Sequence, residues 1–187
     1  MATKNNRRIL VTKRILKESL LSLMQEKSIS KISIKEICDL SEMSRSTFYL
    51  HYQDQFELLK DIEQEVLTKT FESLKNLEGS VNTIESIESF LYYVKANKET
   101  FGVLLCQSET EAFQDAIITN IANYVKETVP EAAENANEKY LFTFIMQGSL
   151  NVIRTWIKND FDIPVSTLAQ LIFMACNNIT ATGIINS

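Results

Sequence analysis

Apolar side chains fall at helical spacing along most of this chain. Between Arg8 and Lys27, the positions Ile15, Leu16, Leu20, Leu23 and Met24 recur at steps of one, three and four, which marks one buried helix face. Ser28–Lys31 interrupts the pattern. Ser33, followed three positions later by Glu36, forms a capping box for a second, short helix whose buried stripe is Ile34, Ile37 and Leu40. A turn at Ser41-Glu42-Met43 leads to Ser44, a good N-cap, and to a third helix ending near His51, with Phe48 as its main buried anchor. Asp54 and Glu57 repeat the capping-box spacing. They open a fourth helix carrying Phe56, Leu59, Ile62, Val66 and Leu67, predicted to run to Leu77 before Glu78-Gly79-Ser80 stops it. At ~1.5 Å per residue that helix is about 35 Å long, enough to connect two domains.

Beyond Gly79 the pattern predicts five more helices, over 83–96, 98–106, 110–128, 137–159 and 164–183, with joints at Val129-Pro130-Glu131 and Asp162-Ile163-Pro164. The last two are apolar on more than one face. In the first of them Leu141, Phe142, Phe144, Ile145, Leu150, Val152, Ile153, Trp156 and Ile157 cover more than one face. In the second, Leu168, Leu171, Ile172, Met174, Ala175 and Ile179 do the same. Such helices need more partners than one monomeric layer supplies. Either they lie at the centre of an all-α domain, or they form an intersubunit four-helix bundle with two helices from each chain. The second arrangement is the one expected, with Leu150, Ile153, Trp156, Ile157, Leu171 and Ala175 at the dimer interface.

Composition agrees with an all-α fold. Four Gly and two Pro in 187 residues are too few turn-formers for a many-stranded sandwich or barrel, and 45% apolar with 23% charged residues argues against disorder. Cys38, Cys106 and Cys176 are an odd set at wide spacing, neither a disulfide framework nor a zinc pattern, which points to a reducing compartment and buried thiols. No apolar stretch approaches the roughly 18–20 residues that span a bilayer, and the polar start of the chain is unlike a signal peptide. A cytoplasmic protein without a membrane partner is expected.

Charge divides the chain. Residues 1–53 hold ten Lys and Arg against five acids, a balance of +5, while the remainder holds nine against nineteen, a balance of −10. A basic head on an acidic body implies that only the head meets a polyanion. Catalytic chemistry is poorly provided for. His51 is the only histidine, which leaves no paired-His metal site and no Ser-His-Asp or Cys-His arrangement outside the third helix. There is no Gly-rich phosphate loop, and Cys106 in an apolar run reads as a small buried hydrophobe rather than a nucleophile. No enzyme, metal or cofactor is expected.

The two short helices over 33–40 and 44–51, joined by a tight turn and preceded by a longer one, make a helix-turn-helix pattern. Its second helix offers Ser44, Arg45, Ser46, Thr47, Tyr49 and His51. Arg45 can bond guanine O6 and N7 in bidentate fashion, and Ser46 and Thr47 can meet donors or a thymine methyl. Tyr49, His51 and the basic flanks suit the phosphates, which fix register without reading sequence, and Tyr52 is counted with the DNA-binding residues.

These residues resemble the tetracycline-repressor-like (TetR) transcriptional regulators. The likeness rests on Thr12, Leu16 and Leu20, on Ile34-Lys35-Glu36-Ile37-Cys38, and most sharply on Met43-Ser44-Arg45-Ser46-Thr47-Phe48-Tyr49-Leu50-His51-Tyr52 followed by Asp54 and Glu57-Leu58-Leu59. It covers about residues 8–60. It implies that Lys35 touches bases or backbone from the second helix, that Arg45, Ser46 and Thr47 read bases, and that Tyr49 and His51 contact phosphates and groove. Two positions depart from the family pattern. Glu42 stands where Gly is usual in the turn; if the left-handed conformation is kept there, Glu should destabilise it by about 1–2 kcal/mol. Gln55 stands where Lys usually opens the fourth helix, which removes one phosphate contact and about one unit of salt slope.

The resemblance further implies two domains: residues 1–53 as the DNA-binding head, 54–78 as connector, and 79–187 as an all-α body that binds a ligand and dimerises. Ligand binding in the family tilts helix four and alters the separation of two recognition helices that must sit ~34 Å apart on palindromic DNA. Pocket candidates are Phe90, Tyr93, Phe101, Gln107, Phe113, Tyr140, Phe144 and Gln147, with plain core packing the favoured alternative for each. Arg154, beside Trp156, reads as an exposed ion pair with Asp160 or Glu138. The expected partners are double-stranded DNA, a second copy of the chain and a small-molecule effector, and the expected function is a ligand-responsive repressor. The Phe144…Gln147-Gly148…Ile153…Trp156-Ile157 pattern also resembles, more loosely, a branch of the family with a coactivator of dihydroxyacetone kinase genes. That leaves a second possibility, an interaction protein whose second domain docks on a protein partner.

Overall fold

Every regular element among the described residues of the computed structural model is helical. The structure describes the backbone of residues 2–75, 84–107, 111–128 and 136–181, and within these the side chains of 6–72, 84–107, 112–120 and 140–176. The predicted stop at Gly79, the Val129-Pro130-Glu131 joint, and the side chains of Glu138 and Ile179 lie outside them. The helices are α1 (Ala2–Glu26), α2 (Ile34–Leu40), α3 (Arg45–Tyr49), α4 (Gln55–Lys75), α5 (Ile84–Ala96), α6 (Lys98–Cys106), α7 (Glu111–Thr128), α8 (Ala136–Lys158) and α9 (Val165–Ala181). The chain divides into two units, Met1–Leu67 with Gln107–Glu109, and Thr68–Cys106 with Thr110–Ser187. The division falls inside α4.

Short-range chemistry places the helix ends of the first unit. At Ser33 the side-chain oxygen accepts from the Glu36 backbone N–H at 3.3 Å and the Glu36 carboxylate accepts from the Ser33 N–H at 2.9 Å, so the capping box forms as its spacing predicts. Ser44 accepts from the Thr47 N–H at 3.1 Å and caps α3. Asp54 accepts from the Glu57 N–H at 2.8 Å, and Glu57 in return accepts from the Gln53 N–H at 2.6 Å. The polar break at Ser28–Lys31 is a 3-10 turn that turns Ile29 inward.

Leu16, Leu20 and Met24 of α1, Ile37 and Cys38 of α2, Phe48 of α3 and Leu58, Leu59, Ile62 and Val66 of α4 form the core of this unit. Two positions correct the sequence-based stripe. Leu40 and Phe56 are each 50% exposed, because Leu40 is the last residue of a seven-residue helix and Phe56 stands in the first turn of α4, where the chain has not yet joined the core.

In the second unit α5 packs on α9, α6 on both α7 and α8, and α8 on α9. Its core holds Leu91 and Val94, Phe101 and Val103–Leu105, Phe113 and Ile117, Leu150, Ile153 and Trp156, and Val165, Leu168, Ala169 and Ile172. The α8–α9 joint is tight. Asp160 and Phe161 adopt φ of 51° and 61°, and the Phe161 N–H donates to the Trp156 carbonyl at 2.8 Å. The Phe161 ring meets Trp156 edge-on at 4.7 Å, while the Trp156 indole N–H donates to the Ile163 carbonyl at 2.9 Å.

Candidate functional site

The helix-turn-helix is α2, the turn 41–44 and α3. Its turn keeps the left-handed conformation: Glu42 has φ of 54°, in the region where a Cβ is disfavoured by about 1–2 kcal/mol. The Met43 N–H donates to the Cys38 carbonyl at 2.9 Å and closes the turn. Phe48 is fully buried and anchors α3, its ring edge-on to Tyr49 at 5.8 Å.

With Phe48 inward, the opposite side of α3 faces out. Ser44, Arg45, Ser46 and Tyr49 are exposed, and Thr47 and His51 are half-buried. Ser44 Oγ lies 2.8 Å from Ser46 Oγ and 2.9 Å from Thr47 Oγ1, so the three hydroxyls satisfy one another at the helix start and must be re-aimed to meet bases. Arg45 takes part in no ion pair among the described residues.

Tyr52 occupies a different environment. It is 3% exposed, its hydroxyl donates to Asp61 Oδ2 at 2.7 Å, and Lys13 Nζ lies 5.1 Å from its ring centre. Burial, followed by the hydrogen bond to Asp61, pushes its phenol well above the ordinary range. It joins the end of the recognition helix to α4. Asp61 also pairs with Lys13 at 3.3 Å and Lys17 at 3.1 Å, and Lys17 reaches Glu65 at 2.7 Å. Burial alone would raise the Asp61 carboxyl, but the bonds from Tyr52 and Lys17 and the charges of Lys17 and Lys13 outweigh it and hold that carboxyl low.

These pairings sort the basic head. Lys13 and Lys17 are held by α4, Lys27 by Glu36, and Arg14 by Glu18. Arg7, Arg8, Lys31, Lys35 and Arg45 are exposed and in no ion pair among the described residues. Those five are the cations best placed to exchange counterions for phosphates. Lys31, Arg7 and Arg8 belong to the basic flanks expected at phosphates, although the sequence did not single them out as site residues.

The pocket candidates of the second unit are dispersed. Phe101 is buried, with Phe90 and Tyr93 edge-on to it at 6.1 and 5.4 Å, and Phe113 is also buried. Gln107 belongs to the first unit, where its amide donates to the Met24 carbonyl. Tyr140, Phe144 and Gln147 are exposed on α8.

The apolar positions of α8 and α9 separate into two faces. Leu150, Ile153 and Trp156 turn into the unit's own core, and Ile157 is half-buried. Phe144 at 66%, Val152 at 43%, Leu171 at 55% and Met174 at 58% exposure face outward, with Ala175 exposed beside them. Phe144, Gly148, Val152, Leu171, Ala175 and neighbouring residues line an almost wholly apolar groove of about 240 Å³ between α8 and α9. Arg154 does not pair with Asp160. It donates instead to Gln114 of α7 and, at 3.1 Å, to Asn151. Among the described residues no group of His, Cys, Asp and Glu is placed to hold a metal ion.

Known proteins resemble both units. Residues 81–178, just over half of the chain, match the family described as the transcriptional regulator C-terminal region of TetR type. An uncharacterized HTH-type transcriptional regulator, YxbF, of Bacillus subtilis strain 168 is 22% identical over 170 residues, 84% of this chain and 43% of that protein. The chain thus spans less than half the length of that relative. A second uncharacterized HTH-type regulator, from Haemophilus influenzae Rd, is 24% identical over 160 residues, 80% of this chain and 77% of its own. Among solved structures, a TetR transcriptional regulator from Streptococcus agalactiae 2603V superposes with a TM-score of 0.70 at 21% identity, covering 94% of this chain and 99% of that one. The dihydroxyacetone kinase operon activator DhaS superposes less well, with a TM-score of 0.53 at 17% identity over 92% of this chain and 96% of that one.

Proposed function

The chain belongs to the TetR family of transcriptional regulators, which are not enzymes, and we propose that it is a homodimeric repressor that binds a palindromic operator through α3 and responds to a small molecule through its second unit. The observation that carries the reading is the outward side of α3. Arg45 stands exposed and unpaired among the described residues at the N-terminal end of a helix anchored by Phe48, where such helices present their first residues to base edges. Lys31 and Lys35 flank it as phosphate contacts. The outward apolar face of α8 and α9 supports the dimer, since four large apolar side chains exposed together on one surface mark an interaction site.

The test is titration against DNA from just upstream of the gene, at two salt concentrations, with scrambled DNA as control. Binding at least ~10³-fold tighter than the control is the expected result. Arg45→Ala should lower that ratio, and equal binding of both DNAs sinks the reading.

A second reading draws on the same groove. A protein partner seated there, with DNA binding conditional on it, would make the chain a coactivator-type interaction protein; the likeness to DhaS is a likeness of fold alone. Purified protein that stays monomeric at tens of micromolar and binds no DNA alone would favour it.

A further inference from the structure

Arg154 sits part-buried on α8, facing α6 and α7 of its own unit. One terminal nitrogen of its guanidinium donates to Gln114 Oε1 and the other donates to Asn151 Oδ1 at 3.1 Å. The Gln114 amide is itself oriented by donating to the Leu105 carbonyl at 3.4 Å. Among the described residues Nε of Arg154 is buried with no hydrogen-bond partner, and no ion pair includes the side chain. One turn further along α8, Lys158 is exposed and in no such pair either. Both cations act on the half-buried Cys106 of α6: burial pushes that thiol up, while the charges of Lys158 and Arg154 pull against the rise.

A guanidinium cannot escape burial by losing its proton. Neutral acceptors at two of its nitrogens leave its desolvation only partly offset, so a part-buried arginine of this kind is short of an anion. Nε and its neighbouring nitrogen form the fork that takes two oxygens of one planar group.

We propose that Arg154, with Lys158 and the edge of α6 at Cys106, is an oxyanion-binding position between α6, α7 and α8, and that the effector of this unit carries a carboxylate or a phosphate that binds there. The proposal rests on reading the second unit as the sensing one and adds the chemical class of what it senses.

Cys106 supplies the probe. Iodoacetate and iodoacetamide deliver the same electrophilic carbon, one with a carboxylate and one without, and mass spectrometry locates the alkylated residue. The ratio of their rates at Cys106 in the full-length folded protein should exceed the ratio at the same residue in urea by about tenfold or more, as like-signed charges concentrate their counter-ion. Inorganic phosphate or octanoate, added at ionic strength matched with chloride, should suppress the enhancement saturably. Octanoate acting at the lower concentration assigns a carboxylate on an apolar body, and phosphate acting at the lower concentration assigns a phosphate. Arg154→Met should abolish both enhancement and protection; if that variant does not fold, the wild-type competition decides alone. A ratio equal to that of the unfolded chain, indifference to both anions, or equal protection in Arg154→Met overturns the proposal. The DNA titration reads separately. Specific DNA binding without an oxyanion effect spares the function and removes this inference, whereas loss of specific binding removes the function whatever Cys106 does.

Discussion

The Tyr52 hydroxyl donates to Asp61 Oδ2 at 2.7 Å, and this bond ties the residue that ends the recognition segment to the middle of α4. Lys13 and Lys17 of α1 close on the same carboxylate. Two helices of the first unit, α1 and α4, therefore meet the segment that leaves α3 at one ionised oxygen.

Tyr52→Phe keeps the ring packing against Phe48, whose centre is 6.0 Å away, and deletes only the bond to Asp61. A hydrogen bond to a charged group contributes about 1.5–3 kcal/mol, and Lys13 and Lys17 retain part of that carboxylate's stabilisation, so a loss of about 1–2 kcal/mol is expected in urea denaturation. Because Tyr52 is buried, the affinity of the folded variant for operator DNA should not change. A loss of affinity in fully folded Tyr52→Phe would make it a phosphate contact after all.

Glu42 is a residue with a side chain where the turn conformation suits glycine. Glu42→Gly relieves about 1–2 kcal/mol of left-handed strain and gives back about 0.4–1 kcal/mol through a freer unfolded chain. The expected net effect is a gain of about 0.5–1 kcal/mol, read as a higher thermal midpoint. Removing the carboxylate should also raise DNA affinity at low salt. Glu42→Ala separates the two effects: affinity should rise as in the glycine variant, with no gain in midpoint. A glycine variant no more stable than the alanine one refutes the strain argument.

What the sequence makes legible follows from distance along the chain. Ser33 with Glu36, and Ser44 with Thr47, act across three residues, and their spacing alone places α2 and α3. The Asp61 cluster joins partners 48 positions apart, and the Arg154–Gln114 contact joins partners 40 apart, so no local pattern announces either. Periodicity also counts faces without saying what covers them. It marks α8 as apolar on more than one face, yet Trp156 and Ile153 go inward while Phe144 and Val152 go outward. Tyr52 stands next to His51 among polar neighbours and reads as a surface group, and only the tertiary fold takes it inside.

Glu36 makes acid stability a local question. Its carboxyl, held first by the hydrogen bond from Lys27 and then by Ser33, titrates at about 2 instead of 4.5. A carboxyl depressed on folding adds stability that is complete above the unfolded value and is lost as pH falls through the folded one. Wild-type stability should therefore decline between pH 4.5 and about 2 partly through this group. Glu36→Gln should show a shallower decline over that window in denaturant melts at stepped pH, and parallel curves would remove Glu36 from the account.

The two faces of α9 offer a paired test of the proposed dimer. Leu168 is 2% exposed and Leu171, one turn later, is 55% exposed. Leu168→Glu puts a carboxylate into the unit's core and should unfold it, with loss of helical signal. Leu171→Glu should leave the protomer folded and disrupt the association. An unpaired charge at a desolvated contact weakens binding by at least about 2 kcal/mol, a ~30-fold rise in the dimer dissociation constant. Light scattering across a dilution series reads that constant directly. DNA binding should follow it: a palindrome of two half-sites ought to lose its advantage over a single half-site in Leu171→Glu, because only a dimer spans both. If the variant stays dimeric with unchanged affinity, the outward strip of Phe144, Val152, Leu171 and Met174 is not the surface that joins two copies. The apolar groove would then be open to the protein partner of the second reading.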